Sequence, residues 1–331
     1  MNYFLIKLAF DTGVHFGPAD TAQSLSVSED HFCADTFFSA LCHTALQLFD
    51  RNTLEKLFDW ARNGELLLSD SMPWREKDCY LPKPFYLGEE RKELPAGQKK
   101  KMKKLAWISV RDFPRFLESV RGGTLFEPSG AADRFGVHTE VTRAAVQDGR
   151  DAVPYRIGVY QFENNCGLYE IAAAKTQEQE AVLLSLFQAL GMGGIGGKIS
   201  SGYGKFHLED VVLLNEFFDA QTQWLYESLT AEKERSVLLS ASLPREEELE
   251  QALEGATYQL VRRGGFVASD TYAETPQKKK TQYFFRSGSV FGHRFTGDLY
   301  SVGGFGEHPV SLCKTDVFGG GFMSGTAGCI Q

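Results

Sequence analysis

The sequence predicts an α+β protein built from two ferredoxin-like (RRM-like) units, the first enlarged by an inserted hairpin and a long loop insertion. Three observations carry this. The chain opens on an alternating run, Asn2–Phe10, that reads as a half-buried strand. Helix-period stretches and strand-like runs then follow in the order strand, helices, hairpin, helix, strand, the parts of a βαββαβ unit. Finally, a capped apolar helix runs into a glycine-rich loop, Gly191–Gly204, with another strand behind it.

After the first strand, DTGVHFGPAD is a Gly/Pro loop. Asp35 can cap a helix whose Phe37, Phe38, Leu41, Ala45, Leu48 and Phe49 recur at helical spacing. Thr53–Arg62 reads as a second helix and Glu65–Ser69 as a strand. From about residue 72 to 135 the period is lost and Pro, Gly and Lys accumulate, including KKKMKK at 99–104, which marks an insertion. A hairpin is predicted over Val141–Phe162, turning at Gln147–Arg150. Thr176 and Gln179 form a capping box for a helix with Val182, Leu183, Leu186, Phe187 and Leu190 on one face. The strand Lys205–Leu214 closes the first unit. The second reads more compactly: a strand over Arg235–Ser242, a charged helix from Pro244 to Leu253, and strands over Thr257–Ala268 and Gln282–Phe291. No close sequence repeat joins the halves, so their kinship is inferred from element order.

The chain has 331 residues, 43% of them apolar, enough for one large core or two modest ones. No run of eighteen apolar residues or signal-peptide pattern is present, which predicts neither a membrane span nor secretion. The six cysteines lack zinc or disulfide-framework spacing, so reduced thiols and a cytoplasmic location are expected. The net charge of −8 is unevenly distributed: residues 227–254 hold eight acids against three bases, and residues 256–294 seven bases against two acids. Such segregation suits a polyanion-facing surface with an acidic face elsewhere, although ordinary solvated charge gives the same pattern in the Lys278–Lys280 run.

Seven of the fourteen residues of Gly191–Gly204 are glycine, and Lys198 and Lys205 are its nearest side-chain charges. Glycine-rich backbone can approach a polyanion, and Lys198 with Ser200 and Ser201 can grip phosphate or sugar oxygens. A P-loop reading fails twice: Met192 stands where its first glycine belongs and Ile199 where Ser or Thr is needed. A dinucleotide fingerprint occurs literally at Gly191, Gly193 and Gly196, but that motif follows a strand and opens a helix, the reverse of the order here. A plain surface loop and a loop that tracks a nucleic-acid backbone remain.

The helix–GGIGGKISSGYGKF–strand arrangement resembles the G-loop of RAMP-superfamily proteins, the RNA-binding subunits of CRISPR effectors. HFCADTFFSALC (His31–Cys42) resembles the H-S-D-T-L-F-S-A-L signature of one branch, and Tyr283–Val310 is similar to that branch's second-domain signature. The motifs stand in the expected order and span most of the chain. The branch comprises the fourth subunits of type III-A Csm complexes, which hold the 5′ handle of the crRNA. The resemblance implies two packed ferredoxin-like RAMP domains, here residues 1–214 and 215–310. Residues 311–331 form an atypical tail where the family continues into another strand. It further implies a non-catalytic crRNA-binding subunit with one face for the large polymerase-like subunit and another for the backbone RAMP subunit. Target RNA would be met only indirectly, and no cofactor or membrane is involved. The hairpin, with Arg143, Arg150 and Arg156, is similar to the family's thumb; pairing of its arginines with Glu140, Asp148 and Asp151 is the plainer alternative.

The RNA-binding candidates are therefore His15, Arg143, Gly193, Gly194, Gly196, Gly197, Lys198, Ser200, Ser201, Tyr203, Lys205 and Arg294. His15, on a Gly-flanked loop, can stack on RNA or simply occupy the loop. A valine pair at Gly196 and Gly197 is expected to block RNA while leaving the fold intact. His31 can be a cap, a core residue or, with His15, the base of a metal-independent endoribonuclease; His43 is read as structural. No metal spacing or nucleophile with a convincing base is visible, so catalytic and metal residues are expected to be none.

Overall fold

The computed structural model describes residues 1–18, 25–85, 96–122, 126–129, 134–146, 151–216, 219–231, 235–265, 278–301, 312–314 and 323–325. Strand β1 (Asn2–Phe10) is followed by helices α1 (Ala34–Leu48) and α2 (Arg51–Arg62) and the short strand β2 (Leu66–Leu68). The stretch read as an aperiodic insertion is a folded part of the sheet. Strands β3 (Met72–Arg75), β4 (Asp78–Pro82) and β5 (Trp107–Ser109) extend it antiparallel, with helices α3 (Ala96–Lys104) and α4 (Phe113–Gly122) beside them. Its strands are three to five residues long, too short for a period to register.

The hairpin β6 (Gly136–Ala145) and β7 (Val153–Phe162) pairs over ten positions; its expected turn and Arg150 lie outside the described residues. Strand β8 (Cys166–Ala174), which the sequence reading missed, is buried along its whole length. It pairs with β1, β2 and β3 at the centre of the sheet, and covered faces erase the apolar–polar alternation that announces a strand. Helix α5 (Gln177–Gly193) starts at the expected capping box and leads through the glycine loop into β9 (Phe206–Leu213), which pairs with β1. The seven-stranded sheet has the order β5–β4–β3–β8–β1–β9, with β2 also on β8. Phe37, Leu41, Leu183, Leu186 and Phe187, from α1 and α5, belong to one core cluster with Leu5, Ile6, Leu8 and Ile171 of the sheet.

The second half adds α6 (Ala220–Thr230), absent from the sequence reading, then β10 (Arg235–Val237) and α7 (Leu249–Leu253). Strands β11 (Leu260–Arg263) and β12 (Gln282–Phe285) pair with one another, β13 (Val290–Phe291) joins β10, and β14 (Leu299–Ser301) follows. Two tail segments are strands: β15 (Leu312–Lys314) pairs with β14 and β16 (Met323–Gly325) with β10.

Asp35 does not cap α1. Cys33 is the N-cap and makes no side-chain bond; the Ala34 N–H instead donates to Asp70 Oδ1 at 2.8 Å. That oxygen also accepts from the Ala241 N–H at 3.0 Å, so one buried carboxylate ties the first helix to the second half. Asp35, free of capping duty, holds Arg263 of β11 in a two-pronged ion pair at 2.8 and 3.1 Å.

Candidate nucleic-acid interface

Helix α5 ends because Gly194 turns to φ +93°, beyond what side-chain-bearing residues readily adopt. Ile195 then plunges into the core and its N–H donates to Gly204 O at 2.9 Å. The Gly197 N–H donates to His15 O at 2.8 Å and the Gly204 N–H to Gly13 O at 2.9 Å, fastening both arms of the loop to the segment after β1. Between them Lys198 adopts a left-handed conformation and Ile199–Ser201 form one 3₁₀ turn, with Ser200 and Ser201 exposed.

Most of these glycines serve the loop's own packing. A Cβ at Gly196 would stand 2.7 Å from His15 O, one at Gly197 2.6 Å from His15 Cδ2, and one at Gly194 2.7 Å from Tyr203 O. Around Gly193 a Cβ would meet nothing within 4 Å. The expectation that valines at Gly196 and Gly197 leave the fold intact is therefore corrected, and Gly193 is the position whose exposed backbone faces open space.

His15 is likewise not a free loop residue. It is only 5% exposed, and its Nδ1 lies 2.7 Å from Gly158 O on β7. A carbonyl only accepts, so Nδ1 carries the proton and the ring is wedged between hairpin and glycine loop. The hairpin meets the loop again through Arg143, which hydrogen-bonds Tyr203, and through Tyr155, whose ring centroid is 5.2 Å from Lys198 Nζ. The Tyr203 hydroxyl, as acceptor, raises the Arg143 pKa above its ordinary value. Arg156 follows the plainer expectation and pairs with Glu140 at 3.2 Å. Lys205 keeps its side chain exposed while its N–H donates to Thr12 Oγ1 at 3.0 Å.

Arg294 is not part of this cluster. It donates to Ala231 O at 2.6 Å and sits by Tyr3, at the opposite end of β1 from the glycine loop. Seven residue steps of strand separate Tyr3 from Phe10, roughly 23 Å.

A groove of about 730 Å³ lies between α1, the glycine loop and the β11–β12 pair. His43 and Thr36 of α1, Gly193, Gly197, Arg263 and Arg286 are among its walls. Arg263 is engaged by Asp35 and by Thr36 Oγ1 at 2.7 Å, whereas Arg286 is exposed and has no carboxylate partner among the described residues. Burial, helped by Lys279, lowers the His43 pKa, so its ring is neutral at pH 7. His31 also borders the groove and pairs through Nδ1 with Asp30 Oδ1 at 2.7 Å. Arg263 and Arg286 were visible in the sequence only as part of a basic stretch. Among the described residues no group of three His, Cys, Asp or Glu side chains is arranged to hold a metal, and no helix is long and apolar enough to cross a membrane.

A helix, glycine loop and strand packed on an antiparallel sheet, bordering a groove with arginines on its far wall, is the arrangement of a RAMP-type protein, and the RAMP superfamily model matches residues 14–207. The model of the CRISPR Csm4 C-terminal domain matches residues 231–319. The CRISPR-system protein Csm4 of Mycobacterium tuberculosis (strain CDC 1551 / Oshkosh) is 36% identical over 311 residues, covering 94% of this chain and 95% of that protein. Csm4 of Streptococcus thermophilus is 29% identical over 309 residues, covering 91% and 93%. The chain belongs to the Csm4 family of CRISPR effector subunits. In solved structures the same fold occurs in a Csm3–Csm4 subcomplex of a type III-A interference complex, with TM-score 0.61, 16% identity and coverage of 96% and 97%. It occurs again in a Csm1–Csm4 cassette bound to pppApA, with TM-score 0.59, 17% identity and 98% coverage of each chain.

Proposed function

We propose that this chain is a non-catalytic crRNA-binding subunit of a type III-A Csm complex, holding the crRNA 5′ handle and joining a large polymerase-like subunit to a backbone RAMP subunit. The observation that carries this is the single groove lined by α1, by the glycine loop with its open backbone at Gly193, and by Arg263 and Arg286 on the β11–β12 side. Backbone amides and Lys198 or Lys205 would take phosphates, and unstacked bases would be read by stacking and edge hydrogen bonds. The naming of Csm1–Csm4 and Csm3–Csm4 assemblies among proteins of the same fold supports the bridging role. The sheet order β9–β1–β8–β2/β3 supports a ferredoxin-like reading of residues 1–214, with β6–β7 as its inserted thumb; residues 215–310 would be the second such domain and 311–331 its atypical tail. Free thiols at Cys33, Cys42, Cys79 and Cys166 fit a cytoplasmic protein.

One observation favours a second reading, a metal-independent crRNA-processing endoribonuclease: Asp30 orients His31 at the groove edge, as a carboxylate orients an imidazole base. One experiment separates the two. Tagged protein is purified from cells expressing the effector genes and a CRISPR array, the bound RNA is sequenced, and the isolated subunit is incubated with crRNA precursor with and without Mg²⁺. The expected result is bound crRNA, co-purified large and backbone subunits, and intact precursor. Cleavage that disappears in His31→Ala would replace the scaffold reading with the nuclease.

A further inference from the structure

The groove does not end at the first-helix loop. A second cavity of about 820 Å³ adjoins it, and Glu29, His31, Arg286 and Ser287 line both. Most of its remaining walls come from the stretch that the sequence presents as a featureless Lys-rich insertion, and the rest from Asp30 and Thr257–Gln259. Lys103 and Lys104, at the end of α3, are exposed, and Lys83 is anchored by donating to Met102 O at 2.6 Å. Burial lowers the Lys83 pKa. Rings complete the lining: Trp107 is nearly buried with His31 edge-on at 5.2 Å, and Tyr258 is 42% exposed, braced by Phe285 at 4.8 Å. Four cationic side chains (Lys83, Lys103, Lys104, Arg286) face two acidic ones, Glu29 and Asp30. Asp30 is already satisfied by His31; burial is the largest influence and raises its pKa, but the bond to His31, the charges of His31 and His138 and its own backbone N–H together bring it below the ordinary value. In a chain of net charge −8 this is a local reversal of sign, of the kind that concentrates an anionic ligand.

We infer that this second cavity is a further nucleotide compartment on the same RNA path. Single-stranded RNA in the first groove passes Arg286, turns at His31, and places its next one or two nucleotides here. Phosphates lie toward Lys103, Lys104 and Arg286, and a base stacks on Tyr258. The inference rests on the RNA-binding reading above. The volume falls in the range of about 300–1,000 Å³ usual for small-ligand sites. Cations beside an exposed ring are what a single strand requires, because every base offers a π face whatever its identity.

The test uses the assembled complex carrying crRNA with 4-thiouridine at single handle positions. Wild type is compared with Lys103→Glu/Lys104→Glu and, separately, with Tyr258→Ala, all changes at exposed side chains. One handle position is expected to cross-link to residues 83–107 or 258, a different one to residues 193–205. The first cross-link should fall at least tenfold in both variants while the second and the amount of bound crRNA stay within about twofold. No cross-link to 83–107 or 258 from any handle position, with the 193–205 cross-link present, overturns the compartment and leaves the RNA-binding reading standing. So does an assembled variant that has lost all RNA, because the lysines then belong to a single undivided grip. Absence of crRNA from the wild-type complex overturns both.

Discussion

The two walls of the groove are built on opposite principles. The glycine-loop wall is a closed network: backbone bonds from Gly197 to His15 and from Gly204 to Gly13 hold it, and glycines at 194, 196 and 197 pack where a Cβ would not fit. The facing wall, β11–β12, is two short strands with their own small apolar clusters, such as Ala241 with Phe284, apart from the continuous core beneath the glycine loop. Asp70 and the Asp35–Arg263 pair fasten this wall to the first half. One wall is shaped by sterics and the other positioned by polar ties, so the same loss of RNA should arise through different physics on the two sides.

The largest effect tests the steric wall. Gly196→Val/Gly197→Val should destabilise the protein, since strain at a positive φ costs about 1–3 kcal/mol and overpacking adds about as much. Bound crRNA should fall together with the melting temperature. Gly193→Val adds bulk only in open space, so RNA occupancy should drop while the melting temperature stays within a degree or two. Unchanged RNA occupancy in Gly193→Val would move the RNA away from this wall.

The polar wall comes next. Asp35→Asn removes the carboxylate charge from an ion pair whose side chains are only 15% and 18% exposed, a loss of about 3 kcal/mol for a buried pair. Urea unfolding should show it, and proteolysis should quicken in residues 232–265 before it does in the glycine loop. Equal sensitivity of both regions would erase the contrast between the walls.

A smaller effect depends on pH. Glu170 lies fully buried on β8 with neither carboxyl oxygen hydrogen-bonded among the described residues, and burial, then the charge of Asp70, raises its pKa well above the ordinary carboxylate value. A carboxyl with its folded pKa raised contributes stability that is fully present below its unfolded pKa, about 4.3, and is lost as pH rises through the folded value. Glu170→Gln should therefore melt close to wild type near pH 4.5 and a few degrees above it at pH 8. A gap that does not grow with pH would mean that the carboxylate is matched by a partner in solution.

The smallest effect concerns the lysines of the glycine-loop wall, Lys198 half-buried and Lys205 exposed. Lys198→Ala and Lys205→Ala should each reduce the salt slope of RNA binding by about 0.7, the value for one phosphate contact on a single strand. Lost affinity with no change in slope at Lys198 would show that its role is the contact with Tyr155, 5.2 Å away.

What the sequence determined by itself is the local grammar. The Thr176/Gln179 capping box, the start of α5, the glycine loop, the long hairpin and the opening strand are encoded within a few residues of where they form, and capping, φ preference and periodicity are short-range effects. The motifs that resemble RAMP proteins were legible for the same reason. Tertiary structure alone decided the rest. Strand β8 escaped because burial on both faces removes alternation, and β3–β5 because strands so short draw their identity from the sheet they join. The cap of α1 comes from Asp70, 36 residues away, a distance over which sequence spacing carries no geometry. His15 looked like an exposed ligand contact because glycines flank it, and became a buried wedge because β7 brings the carbonyl of Gly158 to its ring. Arg294 stood among the RNA-binding candidates of the basic stretch, yet lies at the far end of β1: charge in a sequence says that a group will seek an anion or a carbonyl, and only packing decides which one it meets.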